Sequence, residues 1–148
     1  YMIFNGRFSS RSLVEFKDSV MYLHAGRFIG FSDTTDHPQW RSTPIDVLGR
    51  FTRTKSLYIQ IPKGWELAEM PFKDTAFQYT SASSPCPLHP DLHFTLKIEP
   101  AGKDQIRITR SDSYLHASYS GEGAAQFWKQ SKMGNDLLPI ALKFRKKQ

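Results

Sequence analysis

The chain has 148 residues, enough for one domain spanning 1–148 with a core that needs neither disulfides nor metal. Hydrophobic residues make up 39 % and aromatics 14 %, which excludes a disordered chain, and no run approaches the ~18 apolar residues of a membrane span. Lysine and arginine outnumber aspartate and glutamate by 20 to 14, a net +6 that suits a polyanionic partner where the excess gathers on one face.

In chain order, the spacing predicts strands over 12–16 and 20–24 around a turn at Lys17, Asp18 and Ser19. An extended segment over 27–31 is followed by a polar loop ending at Pro38, then a strand over 45–51. Leu57 and Ile61, four apart, predict a short helix over 52–61 that Pro62 and Gly64 stop. After a further extended segment at 76–81, the Ser/Pro-rich stretch 81–90 is a loop. Cys86, between Pro85 and Pro87, is the sole cysteine and reads as a free surface thiol in a reducing compartment.

The second half alternates more cleanly. Phe94, Leu96 and Ile98 share one face and Thr95, Lys97 and Glu99 the other; Ile106 and Ile108 then alternate with Arg107 and Thr109 across a Gly-containing turn. The alternation resumes over 114–120, where Leu115, Ala117 and Tyr119 oppose Tyr114, His116 and Ser118. Such a pattern predicts a half-buried antiparallel meander with one polar face. Ser120 is placed to cap a C-terminal helix whose apolar side carries Phe127, Trp128, Leu138 and Leu142, bent or interrupted at Gly134 and Pro139. The ending 143–147 reads as a solvated basic tail.

Catalytic and metal patterns are missing. His24, His37, His89, His93 and His116 lie on separate predicted elements without C-x-x-C spacing, and no Walker loop, G-x-S-x-G or dinucleotide pattern occurs. The expectation is therefore no cofactor, no metal and no enzyme. One enzymatic alternative stays open, a ribonuclease using His93 and His116 as acid and base if they meet across a sheet.

The candidate binding residues are mostly basic. Lys97 and Arg107, on adjacent strands with Tyr114 and His116 beside them, offer cations to phosphates and a ring to bases. Arg7 and Arg11 share a face if extended, and Arg50, Arg53 and Lys55 cluster where a strand meets the predicted helix. A β-sandwich carbohydrate-binding module is the alternative of a different class, with Trp40, Trp65 and Trp128 as a possible sugar platform.

The order of segments resembles the Whirly fold, and within it the trypanosomatid mitochondrial RNA-binding proteins that bind guide RNA. The resembling stretches are Val-Met-Tyr-Leu-His-Ala at 20–25, Ile-Asp-Val-Leu-Gly-Arg-Phe at 45–51 passing into 54–61, and Lys-Asp-Thr-Ala-Phe-Gln-Tyr at 73–79. Leu-Lys-Ile-Glu-Pro at 96–100 and Leu-Leu-Pro-Ile-Ala-Leu at 137–142 complete them. Where plant Whirly proteins carry Lys-Gly-Lys-Ala-Ala-Leu for single-stranded DNA, this chain has Asn-Gly-Arg-Phe-Ser-Ser at 5–10, which favours the RNA-binding branch.

The resemblance implies an α+β fold of two roughly perpendicular four-stranded antiparallel sheets with a short helix and a C-terminal helix. It also implies phosphate-backbone binding of single-stranded guide RNA and RNA annealing in mitochondrial RNA editing. The implied partner is a related paralogous chain in a heterotetramer, with no membrane. The chain begins at Tyr1, and the expectation is a trimmed or mature form lacking its targeting segment.

Overall fold

The computed structural model describes residues 6, 11–30, 44–47, 49–84 and 88–147. A 3-10 turn, Arg11–Leu13, leads into strands β1 (Val14–Lys17) and β2 (Val20–Leu23), then a four-residue helix α1 (Gly26–Ile29). Strands β3 (Ile45–Asp46), β4 (Phe51–Gln60), β5 (Trp65–Glu69), β6 (Thr75–Tyr79), β7 (Leu92–Gly102), β8 (Gln105–Tyr114) and β9 (Ser118–Tyr119) follow. Helix α2 (Gly121–Asn135) and strand β10 (Leu142–Lys146) close the order.

The strands form two four-stranded antiparallel sheets, β1-β2-β10-β5 and β4-β8-β7-β6, and a two-stranded ladder, β3-β9. The class is α+β, with antiparallel sheets and two helices among the described residues, as expected at that level.

Four local expectations are corrected. The predicted helix over 52–61 is instead strand through Gln60: Leu57, Ile59 and Ile61 repeat every two residues, so the four-residue spacing that suggested a helix fits a strand equally well. Within the stretch 27–31, residues 27–29 are helical in α1 rather than extended, and residue 31 lies outside the described residues. The 143–147 segment is not a tail, because β10 pairs with β2 on one side and β5 on the other, with Leu142 and Phe144 buried. Leu142 accordingly belongs to that strand and not to the helix, which ends at Asn135. Finally, the alternation over 114–120 breaks: Tyr114 ends β8 and Tyr119 lies in β9, and both are buried.

The main core lies between the apolar faces of the two larger sheets. Met21, Leu142 and Phe144 meet Ile59, Phe94, Leu96, Ile106 and Ile108, with Ala25, Ile29 and Leu137 closing one side. Burying each large side chain contributes roughly 1.5–3 kcal/mol relative to exposure. A second cluster, Ile45, Leu92, Tyr114, Tyr119 and Phe127, holds α2 and β9 against the end of the β7-β8 hairpin.

Two glycines permit backbone approaches that no side chain would. A Cβ at Gly26 would lie 1.8 Å from the Leu137 carbonyl oxygen, and one at Gly134 would lie 2.6 Å from Arg110 Nη2. Helix α2 thereby seats its backbone directly on a guanidinium from the sheet.

Candidate nucleic-acid interface

The β4-β8-β7-β6 sheet has two chemically distinct faces, fixed by the strict two-residue alternation of β8. Ile106, Ile108, Arg110, Asp112 and Tyr114 are buried; Gln105, Arg107, Thr109, Ser111 and Ser113 are half-buried on the opposite, wet face. Cross-strand register continues that face with Thr52, Thr54, Ser56 and Tyr58 of β4 and with His93, Thr95, Lys97 and Glu99 of β7. Three hydroxyl pairs cross it in succession: Thr52–Ser113 at 2.9 Å, Thr54–Ser111 at 3.1 Å and Ser56–Thr109 at 3.2 Å. This face is rich in hydroxyls and sparse in charge.

Of the predicted binding residues, Lys97 and Arg107 do lie on this face, and Lys97 is exposed. Arg107 is paired with Glu99, and that hydrogen bond first, then one to Tyr58, raises its pKa further and keeps it charged. Arg50 is exposed just ahead of β4, after Gly49 at φ 104°. Arg7 lies outside the described residues, as does the side chain of Arg11, whose backbone opens the 3-10 turn.

Arg53, Lys55 and Tyr114 are turned to the other face, a correction to their expected role on the wet surface. They stand opposite Asp112, Arg110 and Phe51, respectively, and in-register partners share a face. Asp112 Oδ1 accepts from Arg110 Nε (3.2 Å) and Nη2 (2.8 Å), while Arg53 Nη2 is 3.6 Å from Oδ2. Arg110 Nη1 donates to the Ile29 carbonyl at 2.9 Å, and Lys55 Nζ donates to those of Phe28 (3.3 Å) and Gly30 (3.2 Å). These cations thus cap the carbonyl end of α1, where the backbone lacks its own donors.

Burial, then the neighbouring Arg53 and Arg110 charges, lowers the Lys55 pKa. Tyr114 is pushed up to about 12, by burial first and then by Asp112, so its phenol stays protonated. It packs against Phe51 and Phe127 at centroid distances of 4.8 and 5.5 Å.

His116 belongs to a different cluster. Its Nε2 lies 3.0 Å from Oδ1 of the buried Asp91, which also accepts from Ser84 Oγ (2.5 Å), and Asp91 Oδ2 accepts from the Ser81 N–H (2.7 Å). Tyr119 Oη donates to the Asp91 carbonyl at 2.8 Å and accepts from the His116 N–H at 3.1 Å. His93 stands instead on the wet face opposite Ser113, so the two histidines proposed as an acid–base pair have separate surroundings.

Burial opposes the Asp91 charge, but the Ser84, Ser81 and His116 contacts outweigh it and leave the pKa lowered. A lowered carboxylate pKa stabilises the fold above the unfolded value and loses that contribution as pH falls through the folded one. Asp91→Asn should therefore flatten the stability loss of the native protein below about pH 4, read as urea midpoints across pH. An unchanged acid slope would contradict this.

A stronger concentration of charge, to which the basic run at 143–147 contributes as part of a strand and not as a tail, lies at one end of the β1-β2-β10-β5 sheet. The Asp18–Ser19 turn, the end of β10 and the start of β5 meet there: Val20 stands opposite both Lys17 and Arg145, Lys146 stands opposite Trp65, and the Lys147 N–H donates to the Gly64 carbonyl at 2.9 Å. Lys17, Lys63, Lys146 and Lys147 are all exposed, and none has a carboxylate partner among the described residues. Arg145 is held by Glu66 at 2.6 Å. The Asp104 carbonyl accepts from the Ile61 N–H (2.8 Å) and Gln60 Nε2 (2.9 Å), which brings the Lys103 turn to the same end.

The same end carries two aromatic rings from the two edge strands of the sheet. Phe16 of β1 and Trp65 of β5 have centroids 6.1 Å apart and planes at 63°. A flat four-stranded sheet would separate its edges by about 14 Å, so the curl of the sheet and the reach of both side chains bring the rings together. The signal that could have found this end was the alternation of Leu142 and Phe144 with Lys143 and Arg145, which marks 142–146 as a strand rather than a tail.

Among the described residues no three His, Cys, Asp or Glu side chains gather in a way that could hold a metal ion, and no helix is long and apolar enough to cross a membrane. Of the tryptophans, Trp40 lies outside the described residues and Trp128 sits on α2 beside Phe127, so Trp65, itself half-buried against the core, is the one that meets the exposed Phe16. Compared with known proteins, the chain matches no family model, no curated protein and no solved structure.

Proposed function

We propose that this domain binds single-stranded RNA through the sugar–phosphate backbone. The reading is supported above all by the four exposed lysines, Lys17, Lys63, Lys146 and Lys147, at the sheet end that also carries Phe16 and Trp65. Cations placed beside an exposed aromatic form the usual chemistry of single-strand binding, with charge for phosphates and rings for bases. The hydroxyl-lined face with Lys97 and Arg107 is a second surface suited to phosphate and sugar contacts.

In its fullest form the proposal is a Whirly-like subunit with perpendicular sheets that pairs with a paralogous chain in a tetramer. It would hold guide RNA in mitochondria and promote its annealing. Backbone holding suits annealing, because bases left uncommitted pass readily to a complementary strand.

Mobility-shift titrations of RNA across salt test the reading. The log–log salt slope of single-strand binding changes by about 0.7 per phosphate contact, so Lys63→Ala, Lys146→Ala and Lys147→Ala combined should reduce it by roughly 2. Affinity should fall alike for unrelated sequences, and Lys97→Ala alone should change the slope by no more than about 0.7. An unchanged slope in the triple variant, or a loss confined to one sequence, would refute backbone holding.

The hydroxyl ladder favours a second reading, a carbohydrate-binding module using the wet face and the 56 % exposed Tyr58. Retention on a glycan array with no oligonucleotide affinity would select it.

A further inference from the structure

We infer that Phe16 and Trp65 form a stacking platform for an unpaired nucleobase, so that the lysine-rich end selects single strands and does not merely attract polyanions. The inference rests on the RNA-binding reading and adds to it what the site recognises besides charge.

Phe16 is 65 % exposed although it stands in register with the buried Met21, which in turn pairs with the buried Phe144. Its row is therefore the apolar row of the sheet, yet the core leaves its ring uncovered. The contact with Trp65 is edge-on, which holds Phe16 in place without covering it and leaves ring surface open to a planar partner.

The surrounding charge specifies what that partner carries. Lys146 stands opposite Trp65 on the same face, Lys63 lies in the turn two residues before Trp65, and Lys17, next to Phe16 in β1, extends the charge on the opposite face of the same end. A planar group attached to a chain of negative charges fits this arrangement, with its ring on Phe16 and the flanking phosphates on the lysines. A stacked base keeps its hydrogen-bonding edge free, so such a platform is sequence-tolerant and leaves pairing with a complementary strand open. Bases inside a duplex have no free face to offer.

Fluorescence anisotropy with the full chain tests this, using a labelled single-stranded RNA, an abasic ribose-phosphate oligomer of equal length and the corresponding RNA duplex. Phe16→Ala and Phe16→Tyr are suitable variants because the side chain is largely outside the core. The expected result is that the native chain binds the base-bearing single strand roughly ten-fold tighter than the abasic oligomer. Phe16→Ala should erase that ratio while leaving abasic affinity and salt slope unchanged, and Phe16→Tyr should restore it.

Equal binding of base-bearing and abasic strands by the native chain would overturn the stacking role and leave backbone binding standing. Equal weakening of both by Phe16→Ala would overturn it too. No binding of any oligomer, with binding to vesicles containing phosphatidylserine, would overturn the RNA reading itself and assign the lysines and rings to a lipid surface.

Discussion

Asp112→Ala is expected to destabilise the protein by about 3–5 kcal/mol, a large part of the 5–15 kcal/mol that holds a domain of this kind together. Asp112 is 1 % exposed and is the carboxylate shared by Arg110, itself 1 % exposed, and Arg53. Bringing those charges out of water costs several kcal/mol per ion, and the pairing offsets that cost only while both signs are present. Removing the anion leaves Arg110 buried between Phe94, 5.3 Å below its guanidinium, and the backbone of Gly134.

The double variant Arg110→Met, Asp112→Leu should be less destabilised than the sum of its two single changes, because it removes both charges at once. Urea unfolding of the two singles and the double provides the measurement. Additive losses would mean that the two residues contribute independently.

Phe144→Ala should cost a similar 3–5 kcal/mol. Phe144 is 1 % exposed, in the strand between β2 and β5, and packs in the main core. A solvated tail would tolerate the same change within about 0.5 kcal/mol, so one thermal or urea melt separates the two descriptions of 142–146. Arg145→Ala, on the exposed side and paired with Glu66, should cost no more than about 1 kcal/mol. The contrast between neighbouring residues is the signature of a half-buried strand.

How much of this was legible in the sequence depended on whether charge and burial agreed. In β7 and the first half of β8 they do: Phe94, Leu96, Ile106 and Ile108 turn inward while Lys97 and Arg107 turn outward, as the alternation indicates. In β4 they conflict, because Arg53 and Lys55 occupy inward positions to serve Asp112 and the carbonyls at the end of α1. The apolar alternation there is reduced to Leu57, Ile59 and Ile61, too short to exclude a helix.

The lysine-rich end was hidden for another reason. Phe16, Trp65 and Lys146 are far apart in sequence; the order β1-β2-β10-β5 sets Lys146 beside Trp65, and the curl of that sheet brings Phe16 to Trp65. A pattern read along the chain has no access to a neighbourhood created by strand order.

That strand order also bears on how the protein comes into being. Leu23 of β2 waits for Leu142 as its ladder partner, so the chain through β10 must leave the ribosome before this sheet can close. Until then the β1-β2 hairpin has an unmatched edge, and pairings so remote in sequence form slowly. The β7-β8 hairpin, built from adjacent segments, is the natural nucleus. A nascent chain stalled before β10 should hold that hairpin, and β4 beside it, while its N-terminal strands remain targets for chaperones.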